Sequence, residues 1–211
     1  MVMCPLSTVL NWKNEFTKWL PGKLALDVYE LASAKNYEAK EKTLSKWLLT
    51  GGVLLLGYEM FRSLTMEKKK QTADSKLANI VRTSLIDPGP DVVFCDEGHY
   101  LKNEESKLFQ AVNQISSRRR IILTGTPIQN SLMEYYTMVQ FARPGQLGTK
   151  KQFINRFVGP MNRGQSADSS PSEVLIMKRR ALILHRLLES ETILLIIFLL
   201  IYVIYKPCSS R

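Results

Sequence analysis

Three short apolar runs limit what this chain can fold into: "GVLLLGY" (52–58), "DVVFC" (91–95) and "RIILTG" (120–125). None alternates apolar with polar residues, as a strand with one wet face would. A strand without alternation is buried on both faces, which is the mark of a parallel sheet covered on each side. Between these runs lie segments with helical spacing. "STVLNWKNEFTKWL" (7–20) sets Val9, Trp12, Phe16 and Trp19–Leu20 on one side, with Ser7 or Thr8 as cap and Pro21–Gly22 as stop. "KLALDVYEL" (23–31) predicts another strand. Helices are expected over 36–50, 75–86, 106–115, 131–142 and 151–157. The alternation predicts an α/β chain, an open and mostly parallel sheet with helices on both faces.

From about Pro160 this order weakens. "NRGQSADSSPSE" (162–173) is polar and Ser-rich and predicts a loop. "EVLIMKRRALILHRLL" (173–188) predicts a basic amphipathic helix, a helical C-terminal extension. "TILLIIFLLIYVIY" (192–205) is apolar but has 14 residues, short of the ~20 of a membrane-spanning helix, so a buried helix, a strand or a foreign tail is expected ahead of a span, with a membrane tether as the rival reading. The expected organisation is 1–160 as the α/β lobe, 161–190 as linker and basic helix, and 191–211 as an atypical hydrophobic tail.

The net charge of +10 favours an acidic partner, though a basic surface with no polyanion partner reads equally well. Arg118–Arg120 and Lys68–Lys70 are basic runs of the kind that either meet phosphate or simply face solvent. Cys4, Cys95 and Cys208 are far apart, with neither metal-ligand spacing nor a disulfide framework, which points to a reducing compartment. The first residues have no basic stretch leading into a long apolar core, so no signal peptide is expected.

The chemistry concentrates at strand ends, where ligands of open parallel sheets sit. "DVVFC" runs into Asp96, Glu97, Gly98 and His99. Adjacent carboxylates diverge, so one can anchor a phosphate-bound Mg²⁺ through water while the other faces an attacking water. Phosphoryl transfer needs both. A plain Asp-Glu pair also suits the start of a helix through its dipole. "ILTGTPIQN" (122–130) ends the next apolar strand, where threonine hydroxyls can relay a hydrogen bond.

Together, "DEGH" and "LTGTPIQN" resemble motifs II and III of the Swi/Snf-type remodelling ATPases, a branch of the superfamily-two helicase fold. "CPLSTVLNWKNEF" (4–16) is similar to their motif Ia, and "LLLGYEMFR" (54–62) to the next strand and its loop. "DPGPDVVFCDEGHYLKNEES", "SRRRIILTGTPIQN" and "KRRALILHRLL" resemble the ATRX-like branch. The resemblance covers residues 1 to about 190. It implies a partial first RecA-like lobe of a DNA-dependent ATPase that uses ATP and Mg²⁺, works on duplex DNA and chromatin, and resides in the nucleus. It implies that Asp96 holds Mg²⁺ through water and that Glu97 orients or deprotonates the hydrolytic water. His99 would couple them to Thr124, Gly125, Thr126 and Gln129. Ser7, Thr8 and Asn11 would face the DNA backbone, as would Gly57, Tyr58 and Arg62; for Ser7 a simple helix cap reads equally well.

The chain departs from the family in having no G-x-x-x-x-G-K-[ST] loop, and the strand before motif Ia reduces to "MVMC". Nor does it include the second lobe. Residues 1–211 alone are therefore expected to be inactive, which leaves a non-catalytic DNA- or partner-binding lobe as the alternative.

Overall fold

The computed structural model describes residues 1–20, 26–34, 36–66, 76–124 and 132–187. They form two compact units, Met1–Ile122 and Leu123–Arg211. This division falls inside the segment 1–160 expected to form one lobe. The hydrophobic tail and Lys68–Lys70 lie outside the described residues.

The first unit carries the sheet. Its strands are β1 (Val2–Cys4), β2 (Val28–Glu30), β3 (Val53–Gly57), β4 (Val93–Asp96) and β5 (Arg120–Leu123), in the order β2-β3-β1-β4-β5. β1 pairs in parallel with β3 and β4, and β2 in parallel with β3. The α/β class with a parallel sheet is therefore observed. The tripeptide that reads as a remnant, Val2–Cys4, lies at the centre of the sheet. Its register sets Cys4 opposite Gly57 and Met3 opposite Cys95, so β1, β3 and β4 end at one edge.

Both faces are covered, as unbroken apolar runs require. Val2, Cys4 and Leu55 pack with Val9, Trp12 and Phe16 of helix α1 (Val9–Trp19). The alternate side chains Met3, Leu54, Leu56, Val93 and Cys95 are also fully buried. Helix α2 (Tyr37–Thr50) starts at Asn36, whose side chain accepts from the Ala39 amide, and stops at Gly51 in the left-handed region. Helix α3 (Tyr58–Met66) begins on the residue after β3, so the connecting loop expected there is absent. Helix α4 (Lys76–Val81) continues as a π-turn to Ile86, and α5 (Lys107–Asn113) is capped by Ser106.

The basic run before β5 divides. Arg118 and Arg119 are exposed. Arg120 is buried, and its guanidinium donates to the carbonyls of Ser117 and Ile115 and to Asn113 Oδ1. It stitches the turn between α5 and β5 and is not presented to a phosphate.

The second unit is helical. Helix α6 (Leu132–Ala142) is followed by α7 (Lys150–Phe153), which runs through a π-turn (Ile154–Val158) into α8 (Gly159–Gln165). Thr149 and Gln152 form a capping box that starts this run. A last helix, α9, spans residues 171–187. Tyr136, Leu147, Phe153, Phe157 and Leu184 make the core of the unit. The polar loop expected over 162–173 is shorter than its composition implies: α8 extends to Gln165 and α9 starts at 171. Gly164 explains the tight junction, because a Cβ there would collide with Met177. Among the described residues no helix is long and apolar enough to cross a membrane.

Candidate active site

Asp96 is the last residue of β4, at the edge where β1 and β3 also end. Two helices start from that edge and both reach Asp96. From α1, the Trp12 indole Nε1 donates to Asp96 Oδ2 at 2.8 Å. From the first residue of α3, the Tyr58 hydroxyl donates to the Asp96 carbonyl at 2.6 Å. The Glu97 amide donates to Asp96 Oδ1 at 3.0 Å. Side chain and main chain of this half-buried acid are thus fixed together.

Glu97 departs from regular backbone. Its φ of 54° and ψ of 55° lie in the left-handed region, where a side chain with a Cβ is strained. Glu97 Oε2 lies 3.3 Å from His99 Nδ1, with both side chains nearly half exposed. Tyr100 stacks on Tyr58 at 5.0 Å and also touches the His99 ring. Asp96, Glu97 and His99 are therefore brought together, as their spacing suggests. Thr124 is buried at the end of β5, while Gly125, Thr126 and Gln129 lie outside the described residues.

The residues expected to face DNA occupy different environments. Ser7 and Asn11 are exposed at the start of α1. Thr8 is half-buried and its hydroxyl donates to the Pro5 carbonyl; it makes no side-chain cap to the helix. Gly57 and Tyr58 are buried. Burial pushes the Tyr58 phenol well above its ordinary pKa, so it stays a donor to Asp96. Arg62 pairs with Glu59 one turn away, at 2.6 Å.

Two features of the site escape sequence reasoning: the Trp12–Asp96 bond and the left-handed Glu97. Trp12 reads as one more member of an apolar stripe. The available signal is that a packed indole N–H needs an acceptor.

The cysteines behind the site are inert by environment. Burial raises Cys95 to about 12 and Cys4 to about 11. Both remain thiols at neutral pH, and a thiol is a poor nucleophile. Iodoacetamide at pH 8 should leave the Cys4 and Cys95 peptides unmodified in the folded protein and label both in urea. Peptide mass spectrometry reads the difference, and rapid native labelling of either would contradict the buried sheet centre.

Among the described residues, no group of three or more His, Cys, Asp or Glu side chains is placed to hold a metal ion. One or two carboxylates with several waters is the environment that Mg²⁺ takes, however. Asp96 fits it: each oxygen accepts one protein N–H, which leaves lone pairs for water on a hydrated ion.

Residues 1–193 match the family of SNF2-related domains. The chain belongs to that family. This SNF2-related chain is 49% identical over 191 residues to mouse "Transcriptional regulator ATRX", covering 89% of the chain and 8% of the relative. It is 45% identical to the Drosophila melanogaster "Transcriptional regulator ATRX homolog", with 90% and 14% covered. Mouse "Helicase ARIP4" is 38% identical, with 90% and 15% covered. The chain thus spans less than one sixth of the length of these relatives. Among solved structures, the Sulfolobus solfataricus SWI2/SNF2 ATPase core in complex with dsDNA matches with a TM-score of 0.51 at 24% identity, over 84% of this chain and 32% of that one. That likeness supports the shared fold of the sheet.

Proposed function

We propose that this chain is part of the first RecA-like lobe of an ATRX-like, ATP-dependent DNA translocase that remodels chromatin in the nucleus. The observation that carries the reading is Asp96, fixed at the carboxyl edge of the sheet by Trp12 and Tyr58 and followed by a left-handed Glu97 whose carboxylate lies by His99. Asp96 would hold Mg²⁺ through water, and the ion would offset charge on the ATP phosphates. Glu97 orients the hydrolytic water and takes up its proton. His99 sits 3.3 Å from the Glu97 carboxylate and would couple the ATP site to Thr124, Gly125, Thr126 and Gln129, as the family resemblance implies. Duplex DNA, and through it the nucleosome, would meet Ser7, Thr8 and Asn11 at the start of α1 and Arg62 on α3; Gly57 and Tyr58, expected from the sequence to join them, are buried and would only shape the start of α3 beneath that surface. Of these, Ser7 and Asn11 have the exposure to touch phosphate directly, and Arg62 would exchange Glu59 for it.

A second reading is favoured by one observation: residues 1–211 contain no G-x-x-x-x-G-K-[ST] sequence. Taken alone, the chain would then be a non-catalytic lobe that binds DNA or a partner and releases no phosphate from ATP. Turnover would require that loop and a second lobe.

The test common to both readings is binding to duplex DNA. A protein of net charge +10 should bind an unspecific duplex weakly, with a dissociation constant of ~10⁻⁴–10⁻⁶ M that rises steeply with salt. Changing Ser7, Thr8 and Asn11 together to alanine should weaken binding without altering charge. Anisotropy titrations at two salt concentrations measure both effects. Affinity indifferent to salt, or to the triple substitution, would remove the DNA role from α1.

A further inference from the structure

We infer that Trp12 is a positioning residue for Asp96 and makes the start of α1 part of the metal-holding device. The inference rests on the reading of Asp96 as the acid that anchors the metal. The indole Nε1 to Oδ2 bond, at 2.8 Å, joins residues 84 apart in sequence. The Glu97 amide occupies Oδ1, so the two donors together set the rotation of the carboxylate plane. The indole is itself held: it packs in the cluster of Val2, Val9 and Leu55, and against Phe16 at 5.9 Å. Trp12 stands one residue after the exposed Asn11 and four after Thr8. A ligand that shifts the first turn of α1 therefore moves the donor that orients Asp96. No second protein group is needed between the two places.

Donors that orient a metal's ligands affect the metal out of proportion to their size, because a misaligned ligand loses most of its affinity. The probe is Mn²⁺, titrated into the ¹⁵N-labelled 211-residue chain and followed by paramagnetic broadening at the Gly98 amide and the Trp12 indole. In the unsubstituted chain both signals should broaden together, and Asp96→Asn should demand far more Mn²⁺. Trp12→Phe keeps an aromatic ring in the cluster and removes the donor. It should raise the half-broadening Mn²⁺ concentration at Gly98 about 10–100-fold. Phe16→Leu loosens the packing of the same indole but leaves its N–H, and should change that concentration little.

If Asp96→Asn shifts the titration and Trp12→Phe does not, the positioning role is wrong. If Trp12→Phe and Phe16→Leu shift it equally, Trp12 acts by packing alone and the inference falls. If the unsubstituted chain shows no broadening at Gly98, the metal reading of Asp96 fails first and takes the inference with it.

Discussion

In a longer form that adds the phosphate loop and second lobe of the proposed ATPase, Glu97→Gln should bind Mg²⁺–ATP nearly as well as the unsubstituted protein and hydrolyse it ~10²–10⁴-fold more slowly. That range is what a positioned general acid–base group contributes. The amide is isosteric, so the left-handed turn and the contact to His99 can persist while the capacity to take a proton is lost. Asp96→Asn should differ in kind. It keeps an oxygen for the Trp12 indole but removes the charge that attracts the ion, so the Mg²⁺ concentration needed for half-maximal rate should rise. Phosphate release across a Mg²⁺ series, with nucleotide binding measured in parallel, separates the two. Two variants that both turn over at the parent rate would take the reaction away from this edge of the sheet.

The second large effect is on stability. Phe61→Ala should lower the unfolding free energy by ~3–5 kcal/mol, the range for removing a buried aromatic ring. Phe61 is fully buried on α3, three residues after the tyrosine that holds the Asp96 carbonyl. Against a total of ~5–15 kcal/mol for an ordinary domain, that loss is about a fifth of the stability or more. The urea midpoint should fall with little change in slope, because the surface exposed on unfolding is almost unchanged. A loss under about 1 kcal/mol would mean that the space under α3 closes over the missing ring.

Much of this architecture is legible in the residues. Leu54–Leu56 and Val93–Cys95 admit no wet face, so the parallel sheet follows from them directly. The helical spacing over 36–50 and 106–115 places α2 and α5 within two residues of their observed bounds. What escapes are decisions made at a distance. Val2–Cys4 is too short to carry a pattern, and only its pairing with Leu55–Gly57 and with Phe94–Cys95 makes it a central strand. The polar composition of 162–165 suggests a loop, yet these residues stay helical because Gly164 lets α9 approach. Arg120 looks like surface charge until the carbonyls that receive it are seen. The Asp96–Glu97–His99 grouping is legible because it is local. The indole and phenol that hold it come from 84 and 38 positions away, and no local periodicity encodes them.

The left-handed backbone at Glu97 bears on what selection preserves. A glycine would occupy φ 54° without strain, and Glu97→Gly should raise the unfolding free energy by about 1 kcal/mol, visible as a higher urea midpoint. The exposed contact to His99 that it gives up is worth little in water. Ranked by thermal endurance alone, a library of variants at position 97 should therefore place glycine above the natural residue. Ranked by phosphate release from the longer protein of the proposed reading, it should place glutamate first. Opposite orders in the two screens would identify position 97 as one where fitness and robustness diverge.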